Sequence, residues 1–310
     1  MEARHPRQEA QAVVGDAHAA RVLEPSPPAV DDGTWFADDP LYDDDGSGRP
    51  VVVWADWLAA HPDRAGWAAE RWLGAHRRLS PPPPGFATTR LALHRLAVYV
   101  VSPARRRVNG KIGLRWTRGG FGTPFFGADE QVRVDGPALS LVRQRGDAAE
   151  AVSVTTLAEA AAFVLDGPPD LAWAEPFDVP PPGDPGAPLG ADPAAAAFLG
   201  DWYGFAWSVL EELRAGLPDA DRVAARIQLW PEHFDAAFSA GGFTFGASPG
   251  DEAIPEPYLY VLPPEDAPDD GRWNAPSFRG ALLRLAEFVD APDQRAAALG
   301  FLAAAWGPQQ

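Results

Sequence analysis

Apolar residues recur at three- and four-residue intervals over Phe86–Val108, through Leu93, Leu96, Ala97, Val100 and Val101. That spacing predicts a helix, and Pro103 should end or kink it, because proline lacks an N–H and clashes with the preceding turn. The period then falls to two. Over Lys111–Trp116, Ile112, Leu114 and Trp116 alternate with Lys111, Gly113 and Arg115, the pattern of a half-buried strand. A Gly- and Phe-rich loop, Arg118–Gly127, follows. Val132/Val134 and Leu139/Leu141 form a hairpin around Asp135-Gly136, and Val152–Thr155 is a short last strand. Thr156 and Glu159 have capping-box spacing and open a helix that runs to about Leu165.

The same order then returns. Asp192-Pro193 is an N-cap followed by proline at the first helical position. The helix carries the stripe Leu199, Trp202, Phe205, Ala206, Val209 and Leu213 and ends at Gly216. Arg226–Val261 reads as three strands, and Phe278–Val289 and Pro292–Trp306 as two amphipathic helices, the second capped by Asp290. Hairpin-connected strands bounded by helices predict an α+β fold, with antiparallel sheet and flanking helices. Two pseudo-repeated α-βββ-α halves, 85–166 and 192–306, are joined by a Pro-rich linker at 167–191. Upstream, 1–50 reads as a disordered acidic arm with one aromatic pair, Trp35-Phe36. Residues 51–84 read as a short helical appendage bearing Trp54, Trp57, Trp67 and Trp72, closed by the stiff run Pro81–Pro84.

Composition narrows the chemistry. The net charge of -17 repels phosphate backbones and disfavours nucleic acid as a partner. With no cysteine in the chain, Fe–S clusters, Cys-ligated zinc and thiol nucleophiles are excluded. No apolar run reaches the roughly 20 residues of a membrane span, and the N-terminal stretch lacks a secretory h-region, so the expected location is cytoplasmic.

Candidate chemistry concentrates in the hairpin. A two-residue turn at Gly241-Gly242 pairs Ala240 with Phe243, Phe238 with Phe245 and Ala236 with Ala247. One face, with Phe234, is then apolar, while the other carries His233, Asp235, Ser239, Thr244 and Ser248. Pro231 cannot sit inside a regular central strand, so it marks a bulge or an edge that re-aims Glu232 and His233. Ser248, His233 and Asp235 on one face invite a triad reading, although no Gly-x-Ser-x-Gly elbow is present. His233 and Asp235, with Asp251 or Glu252, are alternatively hard ligands for a metal. The bland alternative is a solvated sheet face, with Ser-Pro-Gly-Asp as turn chemistry. Lys111 and Arg115, on the polar side of their strand, are candidates for holding a small anion. His94 lies one helical turn after Arg90, where a structural role is expected. Trp202, Trp207, Trp230, Trp273, Tyr258 and Tyr260 are core aromatics or the walls of an apolar pocket.

At Trp230-Pro231-Glu232-His233-Phe234-Asp235, at Gly246–Glu252 and at Glu256–Val261 the chain resembles an uncharacterised bacterial protein family, itself similar to a domain-of-unknown-function group. The resemblance covers roughly Phe86–Trp306. It implies helix, strands with a Gly-Thr-Pro-like segment (here Gly122-Thr123-Pro124-Phe125), helix, a Phe-Asp strand and an aromatic strand. In the distant group Phe234 and Asp235 have counterparts and His233 does not. No activity comes with it. The leading expectation is a protein that binds a small polar or anionic ligand beside His233, Asp235 and Ser248, with Asp251, Glu252, Lys111 and Arg115 at hand. One alternative is a metal-assisted hydrolase using His233 and Asp235, with Glu232 or Glu252 as base. Another is an interaction protein acting through its acidic arm.

Overall fold

The computed structural model describes Pro62 and residues 78–306, apart from 118, 125, 127–129, 146–147, 218–226 and 269–270. The acidic arm and most of the Trp-rich appendage lie outside the described residues.

The first helical run has three parts: α1 (Phe86–Leu96), a π turn (Ala97–Val101) and α2 (Ser102–Asn109). Pro103 was expected to end or kink it, and the helical run continues past it to Asn109. The wider π turn just upstream places proline at the start of α2, where its missing N–H is tolerated. Five antiparallel strands follow in simple meander order: β1 (Arg115–Thr117), β2 (Gly120–Gly122), β3 (Glu130–Asp135), β4 (Ser140–Arg145) and β5 (Ala148–Ser153). β2 lies inside the expected Gly-Phe loop. It is too short and glycine-rich to show a period. α3 (Leu157–Leu165) is capped as anticipated, with the Thr156 hydroxyl accepting from the Glu159 N–H at 3.1 Å.

α4 (Pro193–Ala215) opens the second half, and the Asp192 carboxylate caps it by accepting from the Ala195 N–H at 2.9 Å. Its meander is β6 (Gln228–Trp230), β7 (Asp235–Ala240), β8 (Phe243–Ser248), β9 (Tyr258–Leu262) and β10 (Ala281–Arg284). The Gly241-Gly242 turn and its register stand as derived: Ala240 faces Phe243, Phe238 faces Phe245 and Ala236 faces Ala247. Both glycines take the left-handed φ that a two-residue hairpin turn requires. The expected helix over Phe278–Val289 is shortened to the single turn α5 (Leu285–Phe288), with strand β10 over Ala281–Arg284 in place of its first half. α6 (Gln294–Trp306) is capped by Asp293 rather than Asp290, since the Asp293 carboxylate accepts from the Ala296 N–H at 2.9 Å. Each half therefore holds five strands, where four were expected in the first and three in the second.

The two sheets meet at their first strands. Leu114 and Leu229 exchange a pair of antiparallel N–H···O bonds, both 2.8 Å, so β5 and β10 are the outer edges. One apolar core spans both halves, with α4 buried along most of its length against β1, β2, β7 and β8. Gly200 and Gly204 make this approach possible. A Cβ on Gly200 would lie 2.3 Å from the Gly119 carbonyl carbon, and one on Gly204 would lie 3.0 Å from the Trp116 indole nitrogen. Among the described residues, no helix is long and apolar enough to cross a membrane.

Candidate functional site

The polar groups gather where β6 turns into β7. Proline at 231 cannot donate to a ladder, and β6 stops at Trp230. Where a bulge or an edge was expected, Pro231 opens a four-residue turn, Pro231–Phe234, after β6, the end strand of its own sheet, closed by the Phe234 N–H donating to the Trp230 carbonyl at 2.7 Å. His233 and Phe234 therefore belong to the turn and not to the two faces of the hairpin. Phe234 has φ of 56°, a left-handed conformation that costs a bulky L-residue roughly 1–2 kcal/mol. Its surroundings hold it there. The ring stacks on His94 at 4.9 Å and meets Phe121 and Tyr203 edge-on at 5.1 and 5.6 Å. The Tyr203 hydroxyl, from α4, donates to the Phe234 carbonyl at 2.6 Å.

Helix α1 clamps this turn from the other half of the molecule. His94 Nε2 lies 2.8 Å from the Pro231 carbonyl, and a carbonyl only accepts, so that nitrogen carries the proton. Burial pushes the His94 pKa down to about 3, and the positive charges of Arg90 and His233 push the same way. One turn earlier, Arg90 donates to the Pro255 carbonyl at 3.0 Å and the Asp251 carbonyl at 3.2 Å. Gly250, with φ of 100°, leaves room for it, since a Cβ there would come within 2.5 Å of Arg90 Nη1. Two residues four apart on one helix thus tie down both loops bordering the second sheet's polar end.

That end is enclosed. Glu232, Asp235 and Ser248 are 2%, 3% and 4% exposed, where a solvated face was the bland expectation. The cover is a small apolar cluster on the outer sheet face, formed by Ile254, Tyr258, Tyr260 and Leu282 with Phe278 and Trp230 packed beside it. Tyr260 lies across Gly246, where a Cβ would come within 2.2 Å of its ring, and its hydroxyl donates to the Asp235 carboxylate. Burial raises the Tyr203 pKa well above the usual phenol value, and the Asp235 charge adds to the effect.

Several of the expected ligand residues hold local structure. The Ser248 hydroxyl accepts from the Gly250 N–H at 3.1 Å. Asp251 caps its own turn, with one oxygen accepting from the Ala253 and Ile254 N–H groups at 2.8 and 2.7 Å and the other from the Tyr258 hydroxyl at 2.8 Å. Glu252 is exposed in that turn. Arg115 is buried rather than solvated, its guanidinium 5.4 Å above the Trp207 ring. Lys111 is half-buried, and the antiparallel Leu114–Leu229 bridge runs its segment toward the Glu232 turn. Among the described residues, no three His, Asp or Glu side chains converge as a metal-ligand group. His233 and Asp235 alone are one ligand short of the three protein ligands usual in a hydrolytic metal centre.

The structure brings together Glu232, His233 and Asp235 and adds Arg90, His94, Tyr203 and Tyr260. The Arg90–His94 spacing was visible in the sequence. What it reaches was not, because the targets are backbone carbonyls more than 130 residues away. Gly246 across from Tyr260 was the one readable trace of the Tyr260–Asp235 contact.

No family model, curated protein or solved structure matches the chain. The resemblance at the Trp-Pro-Glu-His-Phe-Asp segment therefore adds nothing to what the residues themselves say.

Proposed function

We propose that the chain binds a small polar ligand, without turning it over, at the corner formed by the Pro231–Phe234 turn. The observation carrying this reading is the left-handed Phe234. Strained backbone persists where packing over-determines it, and such positions cluster at ligand sites. Here the strain sets Glu232 and His233 on one side of an aromatic residue and Asp235 on the other. An ordinary two-residue turn would have spared the strain and brought no polar groups to the corner.

Charge then selects the ligand. The corner's buried carboxyl groups are Glu232 and Asp235, and Asp251 and Glu252 lie on the neighbouring turn. Arg90 is occupied with carbonyls, His94 is neutral above pH of about 3, Arg115 is buried against Trp207, and Lys111, whose segment runs toward the Glu232 turn, offsets at most one of these carboxylates. The balance favours a ligand with an ammonium or guanidinium group over the anion first expected. Tyr260 and Trp230 supply aromatic faces beside the carboxylates, a combination that suits organic cations.

Calorimetric titration with methylguanidinium and with 1,4-diaminobutane tests this. Saturable binding to the native chain is expected for at least one. Asp235→Asn keeps the shape and an acceptor for Tyr260 but removes the charge. A charge-assisted hydrogen bond is worth about 1.5–3 kcal/mol, so affinity should fall roughly tenfold to a hundredfold. Equal binding by the native and Asp235→Asn chains, or none by either, refutes the assignment.

A further inference from the structure

The last helix presents an outer side that its sequence does not suit to water. From Ala296 to Trp306, α6 reads Ala-Ala-Ala-Leu-Gly-Phe-Leu-Ala-Ala-Ala-Trp, with no charged residue and no polar side chain before the closing indole. Its inner side, through Ala298, Leu302 and Ala305, is buried in the core. Its outer side, Ala296, Gly300, Ala303 and Ala304, is exposed, with Leu299 and Phe301 half-buried on the flanks. A surface helix ordinarily carries polar residues outward, and a helix that is apolar all round is ordinarily covered. Arg295, at the start of the helix, does not supply that polarity. Its guanidinium turns back onto α4, donating to the Ser208 carbonyl at 3.1 Å and pairing with Glu212.

The chain upstream enters the folded body at the start of this same helix. Leu79 is buried, and its N–H donates to Gln294 Oε1 at 2.9 Å while Gln294 Nε2 donates to its carbonyl at 2.9 Å. The side-chain amide thus pairs with one residue of backbone as a neighbouring strand would. The same Nε2 also donates to the Val289 carbonyl at 2.6 Å, which locks the amide to the end of α5. Arg78 adds two bonds of 3.3 Å, to the carbonyls of Val289 and Pro292. Residues 51–77, with Trp54, Trp57, Trp67 and Trp72, are therefore delivered to the first turn of α6.

Size decides between occupants. A helix of this length runs about 20 Å and is about 10 Å wide, so its outer side offers roughly 200 Å². A second copy of the chain needs about 800 Å² per partner for a stable interface. A tethered segment needs far less, because its effective concentration reaches about the millimolar range. Fifteen residues in helical form span about 22 Å, so 63–77 matches the length of α6 when it runs back along it from Gln294. Tryptophan side chains also bring large apolar area to a surface of alanine and glycine. We propose that the outer side of α6 is the docking surface for the tryptophan-bearing segment 51–77 of the same chain, with Gln294 and Arg78 as the clasp that sets its direction. This reading is independent of the ligand corner.

Gly300→Glu in the full chain is the test. A Cβ at Gly300 meets nothing within 4 Å, so the described body accepts the side chain. On a solvated helix the exchange stabilises, since glycine is a far poorer helix former than glutamate. On a covered one it places a charge in an apolar contact and releases the segment. Limited trypsin digestion reads the difference after Arg64 and Arg71. Cleavage there should be roughly tenfold or more faster in the variant than in the native chain, with residues 79–306 left intact in both and a lower melting temperature in the variant. If the variant does not fold, Ala303→Gln takes its place, with a faster cleavage of the same sites expected. Equal cleavage in native and variant chains overturns the docking. So does a native dimer in sedimentation that the variant dissociates, or flotation with phosphatidylcholine vesicles that the variant loses, since either gives the face to another occupant.

Discussion

The two halves of the molecule follow one plan, and they part at the first hairpin. In the first half, β1 passes to β2 through a turn that ends at Gly119, with Thr117 opposite Gly120. Gly119 takes a left-handed φ of 81° with no steric penalty. In the second half, Trp230 faces Asp235 and four residues intervene. There the left-handed position falls to Phe234, which is penalised for it. The first-half turn passes from Thr117 to Gly120 with two residues between. The longer one carries Glu232 and His233, delivers Asp235 to a buried position and is gripped by Tyr203 and His94. Candidate chemistry therefore sits where the second half departs from the cheapest way to build the shared plan.

The contrast can be broken most strongly from the first side. Gly200 on α4 touches the Gly119 turn, so Gly200→Leu must push helix and hairpin apart. Overpacking of this kind costs about 3 kcal/mol, and a larger loss is reasonable where backbone is the obstacle. Chemical denaturation would measure it, and a loss below about 1 kcal/mol would mean the contact yields easily. On the second side, Tyr203→Phe strips the Phe234 carbonyl of its buried donor. The expected loss is about 1–3 kcal/mol, because the unsatisfied acceptor remains.

The clamp has a pH signature. The folded-state pKa of His94, about 3, lies below the 6.5 of an unperturbed histidine. The unfolded chain therefore binds more protons between those values, and the stability that neutral His94 allows is full above pH of about 6.5. It is lost as pH falls toward 3, by at most about 1.4 kcal/mol per pH unit. Denaturation curves at pH 7, 6 and 5 should show the slope, and His94→Phe should flatten it. An unchanged slope in that variant would assign the titration to other groups. Smallest of these effects is Gly119→Ala, expected to cost about 1 kcal/mol by forcing an L-residue into the conformation Phe234 already holds. A neutral result would show that the first hairpin relaxes where the second is held.

Much of the fold was legible because it rests on local chemistry. The Gly-Gly turn fixed the register of β7 and β8, and Thr156 and Asp192 marked their helices through capping. Short strands were harder. β2 is three residues of Gly-Phe-Gly, and β10 reads as a helix because Leu282, Leu283 and Leu285 also suit a 3.6-residue period. The site was half legible. Glu232, His233 and Asp235 were singled out, with Asp235 on its strand as expected but Glu232 and His233 in a turn. Ser248 and Asp251 suggested ligands, and both hold hydrogen bonds within their own turn. Arg90, His94 and Tyr203 gained their roles only through contacts between distant segments, which no local pattern encodes.

The most direct measurement is calorimetric titration of the native chain and of Asp235→Asn with methylguanidinium and 1,4-diaminobutane, both proteins first shown to melt alike. A cation site at the Pro231–Phe234 corner predicts saturable binding by the native chain that weakens roughly tenfold or more in the variant. The same affinity in both proteins, or no heat in either, would contradict it.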